Sequence, residues 1–303
     1  PILEFDGADD YLSQATTLGS DLFSNTDNTV IMMHRMNSGI VYFKWEQGPT
    51  GSDRIGFEYS GGRIRFDFPD DSGGNQTVSN TSYSNVGEIV TGKASTNVST
   101  IRINGTVDVT NSTSGTMNNN TNQQFVIGAN DLGNPLYCSL DFAELAVYKS
   151  GLSGADMNRV ESYMAIKYGV TLGVNGTSMD YNSVYGNTVW NSTTNSGYCY
   201  DIAGIAREDN SALDQRKSRT INETAGNPRD MLTVANGTNF TTPTAFSSDQ
   251  GYFVWGHNDL ATQSNLGNDV ASPILTRFSR VWKGQETGTV GTVTLEFDMS
   301  NVP

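Results

Sequence analysis

The feature that most restricts this chain is a succession of short runs in which apolar and polar residues alternate, each ended by turn-forming residues. "GRIRFDF" is the cleanest. Ile64, Phe66 and Phe68 fall on one side, Arg63, Arg65 and Asp67 on the other, because successive side chains of a strand point to opposite faces. "NTVIMMHRM", "GIVYFKWEQ", "DRIGFEYS", "STIRINGTVDV" and "QQFVIGAN" are further runs of the first half. "YDIAGIARE", "DMLTVAN", "GYFVWGHN", "FSRVWKG" and "GTVTLEFDMS" follow in the second. Such runs, rich in aromatic and β-branched residues, predict an all-β protein of antiparallel sheets packed as sandwiches. One solvated face per sheet explains the alternation.

A chain of 303 residues suits two domains of this kind. Its net charge of −14 argues against nucleic acid, whose binding depends on Lys and Arg neutralising phosphates, and against anionic membrane surfaces. No apolar run of about 18 residues is present, so membrane insertion is not expected. Pro1 leads directly into the strand-like "ILEFDG", and the chain closes on "TVTLEFDMSNVP". Both ends read as cuts, which suggests a processed chain or a piece of a longer polypeptide with further domains.

One segment departs from the β pattern. After "FAELAVY", Ser153 is a suitable N-cap and Asp156 stands three residues on, as in a capping box. Met157, Val160, Met164 and Tyr168 recur at helical spacing, and Gly169 follows as a C′ glycine. A helix over 153–168 is therefore predicted. The polar stretch after Leu172 has boundary composition. Only about ten residues long and without Gly/Ser or Pro repeats, it is too short for free tumbling of the flanking domains.

"LEFDGADDYL" at Leu3–Leu12 resembles the opening of the laminin-G-like, concanavalin-A-like jelly-roll modules of bacterial secreted proteins. "SLDFAELAVYKSGLSGADMNRVESYMAIKYGVTL" resembles their closing strand and helix. "YDIAGIAREDNSALDQRKSRTIN" and "RVWKGQETGTVGTVTLEFDMSNVP" resemble the uncharacterised β-rich domain that follows such jelly rolls in large surface proteins. The resemblance implies a jelly roll over 1–172 that ends in the helix, a second β-rich domain over 173–303, and a secreted or cell-surface location. It implies no settled activity.

Catalytic patterns are thin. A retaining glycosidase needs two carboxyl groups about 5–5.5 Å apart. Glu4 with Asp6, and Glu296 with Asp298, each share a strand face, but neither pair is followed by the further Glu of the hydrolase pattern, and Glu144 stands alone. His34 and His257, the two histidines, read as structural. No metalloprotease, serine-hydrolase, phosphate-loop or dinucleotide motif occurs. The expectation is a non-enzymatic protein. About eleven N-x-S/T sequons, Asn75, Asn97, Asn104, Asn191 and Asn236 among them, read as part of a Ser/Thr/Asn-rich surface.

Three candidate sites remain. "DGADD" brings Asp6, Asp9 and Asp10 together around Gly7, and calcium takes six to eight loop oxygens. By the resemblance, Asp141 of the closing strand is a fourth ligand; the alternative is an ordinary acidic turn. Tyr42 with Trp45, and Tyr59 near Arg63, are candidate platforms for a sugar ring, or core residues. Cys138 and Cys199 are a candidate disulfide, stabilising by about 4 kcal/mol across a loop of about 60 residues, or two buried thiols. The function expected is adhesion through glycan or a surface protein. A structural subunit binding copies of itself in an extracellular fibre, and an accessory carbohydrate-binding part of a polysaccharide-degrading enzyme, are the alternatives.

Overall fold

The computed structural model describes residues 2–14, 26–38, 41–47, 54–68, 75–82, 86–113, 123–129, 136–221, 231–262, 264–265 and 277–299. The chain divides into two compact units, Pro1–Gly154 and Ala155–Pro303.

The first unit contains β1 (Leu3–Asp6), β2 (Leu12–Gln14), β3 (Asn28–Ser38), β4 (Val41–Gln47), β5 (Arg54–Ser60), β6 (Arg63–Phe68), β7 (Asn75–Ser82), β8 (Glu88–Ser95), β9 (Val98–Ile103), β10 (Thr106–Ser112), β11 (Gln123–Ile127) and β12 (Ser139–Tyr148). They form two antiparallel six-stranded sheets, ordered β1-β12-β3-β8-β9-β10 and β2-β11-β4-β5-β6-β7. The chain changes sheet between β1 and β2, β2 and β3, β3 and β4, β7 and β8, β10 and β11, and β11 and β12, so the unit is a jelly-roll sandwich. Val30, Met32, Met36, Val90, Ile101 and Leu140 of one sheet share a buried core with Ile55, Phe57, Ile64, Phe66, Phe68 and Ile127 of the other. The sheets approach so closely at Gly92 that a Cβ there would lie 2.5 Å from the Phe66 ring.

Register shifts adjust the alternation at several points, β12 and β10 among them. In β12, Phe142 pairs with His34 and Glu144 with Met33, leaving Ala143 as the extra residue. Before it, Leu140 and Phe142 pack on the core; after it, Leu145 and Val147 do. The apolar residues of "LDFAELAV" are out of phase with strict alternation, and the bulge restores their common face. In β10 the register shifts between Val107 and Val109. The extra residue, Asp108, turns to the other sheet's edge strand and accepts hydrogen bonds from the Thr81 amide (3.1 Å) and from the Asn80 amide, while its carbonyl accepts from Asn80 Nδ2 (2.9 Å).

The helix α1 (Gly154–Tyr168), predicted to close the first domain, falls in the second unit instead. The reason is its buried polar residues. Asn158 Nδ2 donates to the Asp180 carbonyl (3.0 Å), Ser162 Oγ accepts from the Asn182 amide (3.0 Å), and Asn182 Nδ2 donates to Asn158 Oδ1 (2.6 Å). Met157 and Met164 are buried as expected, but Asn158, Glu161 and Ser162 are buried with them. At the C-terminal end Gly169 adopts φ +71°, and its carbonyl accepts from the Ile221 amide (3.0 Å). The boundary therefore lies at 154/155 rather than at 172/173.

The second unit continues with β13 (Gly173–Val174), β14 (Thr177–Ser178), β15 (Tyr181–Asn182), β16 (Thr188–Trp190), β17 (Tyr200–Glu208), β18 (Leu213–Gln215), β19 (Lys217–Ser218), β20 (Leu232–Asn236), β21 (Gly251–His257), β22 (Ser264–Asn265), β23 (Arg277–Phe278), β24 (Trp282–Thr287) and β25 (Val293–Phe297). Its larger sheets run β18-β17-β21-β24 and β19-β20-β25. Ala203, Ile205, Leu232, Val234, Phe246, Trp255 and Val290 form a core there. No described helix is long and apolar enough to cross a membrane.

Candidate functional site

The β5–β6 hairpin turns on Gly61 and Gly62, both at positive φ, which suits a two-residue turn. Its register pairs Glu58 with Arg65 and Gly56 with Asp67. With Phe57, Ile64, Phe66 and Phe68 in the core, Glu58, Arg65 and Asp67 take the face turned away from it. There they form a charged triad. Arg65 Nε lies 2.9 Å from Asp67 Oδ1, Nη2 donates to Asp67 Oδ2 at 2.9 Å, and the same guanidinium is paired with Glu58. All three side chains are largely buried, at 17%, 8% and 3% exposure for Arg65, Glu58 and Asp67. An Arg–carboxylate hydrogen bond is charge-assisted and stronger than a neutral one. Alternation in "GRIRFDF" had marked Arg65 and Asp67; Glu58 was missed because only strand pairing brings it alongside.

The acidic turn between β1 and β2 also assembles. The carboxylates of Asp6, Asp9 and Asp10 lie within 4.8 Å of one another and are exposed. Asp6 Oδ1 accepts from the Ala8 amide (2.7 Å), and Asp10 Oδ2 from the Asp6 amide (3.2 Å). Gly7 has φ +83°, and a Cβ there would sit 3.0 Å from the Ser139 nitrogen. Three clustered carboxylates match the oxygen donors of calcium. Asp141, expected as a fourth, stands outside this group: Arg35 Nε donates to its Oδ2 (2.8 Å) and Asn37 Nδ2 to its Oδ1 (3.4 Å).

The aromatic candidates separate. Tyr59 is half-buried and packs on the first core, whereas Arg63 is exposed at the start of β6, so the two do not make one platform. Tyr42 lies at the register shift of β4 and Trp45 pairs in register with Ile55 and Phe125; their side chains lie outside the described residues. Cys138 and Cys199 are free buried thiols rather than a disulfide. Burial pushes the Cys138 thiol up to about 12, and the Cys199 thiol lies 3.3 Å from the Asn195 carbonyl.

Each histidine occupies a structural setting. His34 is on the core face of β3, opposite Glu88 of β8. Burial holds its imidazole down to about 3. Burial, with the charge of Asp108, pushes the Glu88 carboxyl up to about 8. His257, in the second unit, accepts at Nδ1 from the Asp259 amide (2.9 Å). Nε2 therefore carries the proton and donates to Asp201 Oδ2 (2.8 Å), with both side chains almost wholly buried. Asn175 completes the network, donating from Nδ2 to Asp201 Oδ1 (2.9 Å) and accepting from the Asp201 amide (3.1 Å). Both ring nitrogens are thus engaged within the protein, and the dyad clamps the ends of β17 and β21. Elsewhere in this unit an open cleft of about 500 Å³ is lined by Arg207, Asp209, Asp214 and Arg216. Its charges are paired, Arg207 with Asp209 and Arg216 with Asp214.

Residues 156–303 match the family described as "Domain of unknown function (DUF8202)". No curated protein matches the sequence. Among solved structures, the chain is similar to the LG1-3 region of the laminin alpha2 chain, with 16% identity over 50% of this chain and 31% of that one, at a TM-score of 0.39. It is similar to a heptameric SAP-like pentraxin of Limulus polyphemus, with 16% identity over 53% and 81% and a TM-score of 0.42. It is also similar to the CBM40 of a Ruminococcus gnavus sialidase bound to alpha2,3 sialyllactose, with 12% identity over 50% and 93% and a TM-score of 0.39. At these scores the likeness carries no argument about ligand or activity.

Proposed function

We propose that this chain is a non-catalytic, secreted or cell-surface adhesion module whose jelly-roll unit binds glycan on the outer face of the sheet β2-β11-β4-β5-β6-β7. The observation that supports this reading is Arg65, the most exposed member of the triad at 17%, held in place by the buried carboxylates of Glu58 and Asp67. Sugar hydroxyls donate and accept at once, and charged planar groups fixed in advance bind them with little ordering cost. The acidic turn is the proposed calcium position, with Asp6, Asp9 and Asp10 as its ligands.

A glycan array probed with the whole chain and with Asp67→Asn tests the reading. The expected result is a family of bound glycans whose signal falls at least several-fold in the variant. Absence of any bound glycan, or equal binding by a folded variant, overturns it. Hydrolysis of a polysaccharide that one carboxylate substitution abolishes would restore the enzymatic reading. The fibre alternative, in which copies of the chain bind one another through edge strands, is distinguished by sedimentation of the chain over a range of concentrations.

A further inference from the structure

The core of the second unit runs on past β25. On β20, Leu232 and Val234 are buried at 5% and 0% exposure. Their partners on β25, Phe297 and Leu295, lie on the same face yet are 38% and 49% exposed. Val293, first in that series, still packs on the core, as does Trp282 of β24. The Trp282 and Phe297 rings meet edge-on at 5.2 Å and join the two sheets at this rim. Among the described residues, β25 pairs with β20 alone and β24 with β21 alone. Two outer strand edges thus flank one apolar rim. Such an edge offers unpaired backbone donors and acceptors to a further strand.

The charge pattern restricts what fits. Glu296, between Leu295 and Phe297, takes the opposite face of β25, and Asp298 follows it two residues on; both are exposed, as is Glu286 of β24. We infer that this rim accepts one extended segment of a partner polypeptide, added as a strand to β25. Its apolar residues at alternate positions would cover Leu295, Phe297 and Trp282, and lysine or arginine between them would face Glu296 and Asp298. Opposite charges across a strand pair stabilise it and like charges oppose it. A second copy fits poorly. The chain carries −14, and its own edge strand β1, with Leu3 exposed, sets Glu4 and Asp6 at alternate positions, which would put carboxylate against carboxylate.

The probe is a blocked peptide of alternating valine and lysine, titrated against the whole chain by fluorescence anisotropy. The inference expects saturable binding that weakens several-fold in Glu296→Lys, weakens with added salt, and is lost in Leu295→Asp and when alternate peptide amides are N-methylated. These side chains are exposed, and unchanged thermal unfolding of each variant checks folding. Three results overturn it: no saturable binding, equal binding by the N-methylated or a valine–glutamate peptide, or self-association of the chain that Leu295→Asp abolishes.

Discussion

Replacing Glu88 by glutamine should remove most of the alkaline sensitivity of the first unit. Glu88 faces the core opposite His34, and its carboxyl is raised from 4.5 to about 8. An acid whose folded value is raised binds its proton more tightly in the native state. Stability from this source is complete below pH 4.5 and drains away as pH climbs toward 8. At about 1.36 kcal/mol per unit the full cost is about 4–5 kcal/mol, of which about 4 kcal/mol falls between pH 5 and 9. His34 acts with the opposite sign: its value falls from 6.5 to about 3, so its cost appears as pH drops through that range. Together they place the optimum of the wild type near about pH 5.5 and leave a net alkaline loss of about 2 kcal/mol by pH 9. Glu88→Gln keeps the shape and removes the charge. Its stability should rise from pH 5 to 7 and then stay level. Urea unfolding at pH 5, 7 and 9, with hydrogen exchange of peptides from residues 86–113 as the readout, compares the two proteins. Parallel pH curves for wild type and variant would refute the reasoning, because the linkage would then lie in other groups.

Gly92→Ala should cost about 1–3 kcal/mol, since a Cβ placed 2.5 Å from the Phe66 ring must push the sheets apart; an unchanged melting temperature contradicts the close approach. His257→Ala should cost about 3–5 kcal/mol in the second unit by leaving Asp201 buried without its imidazole partner, and calorimetry should show that transition moving while the first unit's holds. Calcium should raise the melting temperature of the first unit and EDTA should reverse it, with the response lost in Asp9→Asn together with Asp10→Asn. A melting curve indifferent to both additions counts against the site.

Strand positions were legible because burial on one side imposes a period of two, which Ile64, Phe66 and Phe68 keep, whereas Asp67 on the face expected to be solvated is buried as well. The helix was legible as an element but not in its allegiance. An apolar stripe says that something covers it, not what; Asn158 and Ser162, which tie α1 to residues 180–182, carry no periodic signal. The acidic turn was legible because its three members are local in sequence. The triad was only half so, since Glu58 meets Arg65 through pairing of β5 with β6. The cysteines illustrate a separate limit: an even count permits a bridge, but bonding requires that the two thiols meet.

Ala143 has a consequence out of proportion to its size. It is the residue by which β12 changes phase against β3, so its role is arithmetical rather than chemical. Exchanging it for another small residue alters one side chain. Were the strand to run straight through Ala143 without the bulge, Glu144, Ala146 and Tyr148 would turn toward the core and Leu145 and Val147 away from it. Deleting Ala143 removes the extra residue and the bulge together, so Glu144 stays opposite Met33 and Leu145 opposite Met32. For this stretch a one-codon deletion at the bulge is less disruptive than one elsewhere in the strand, and alignments of related chains through β12 should tolerate a gap there.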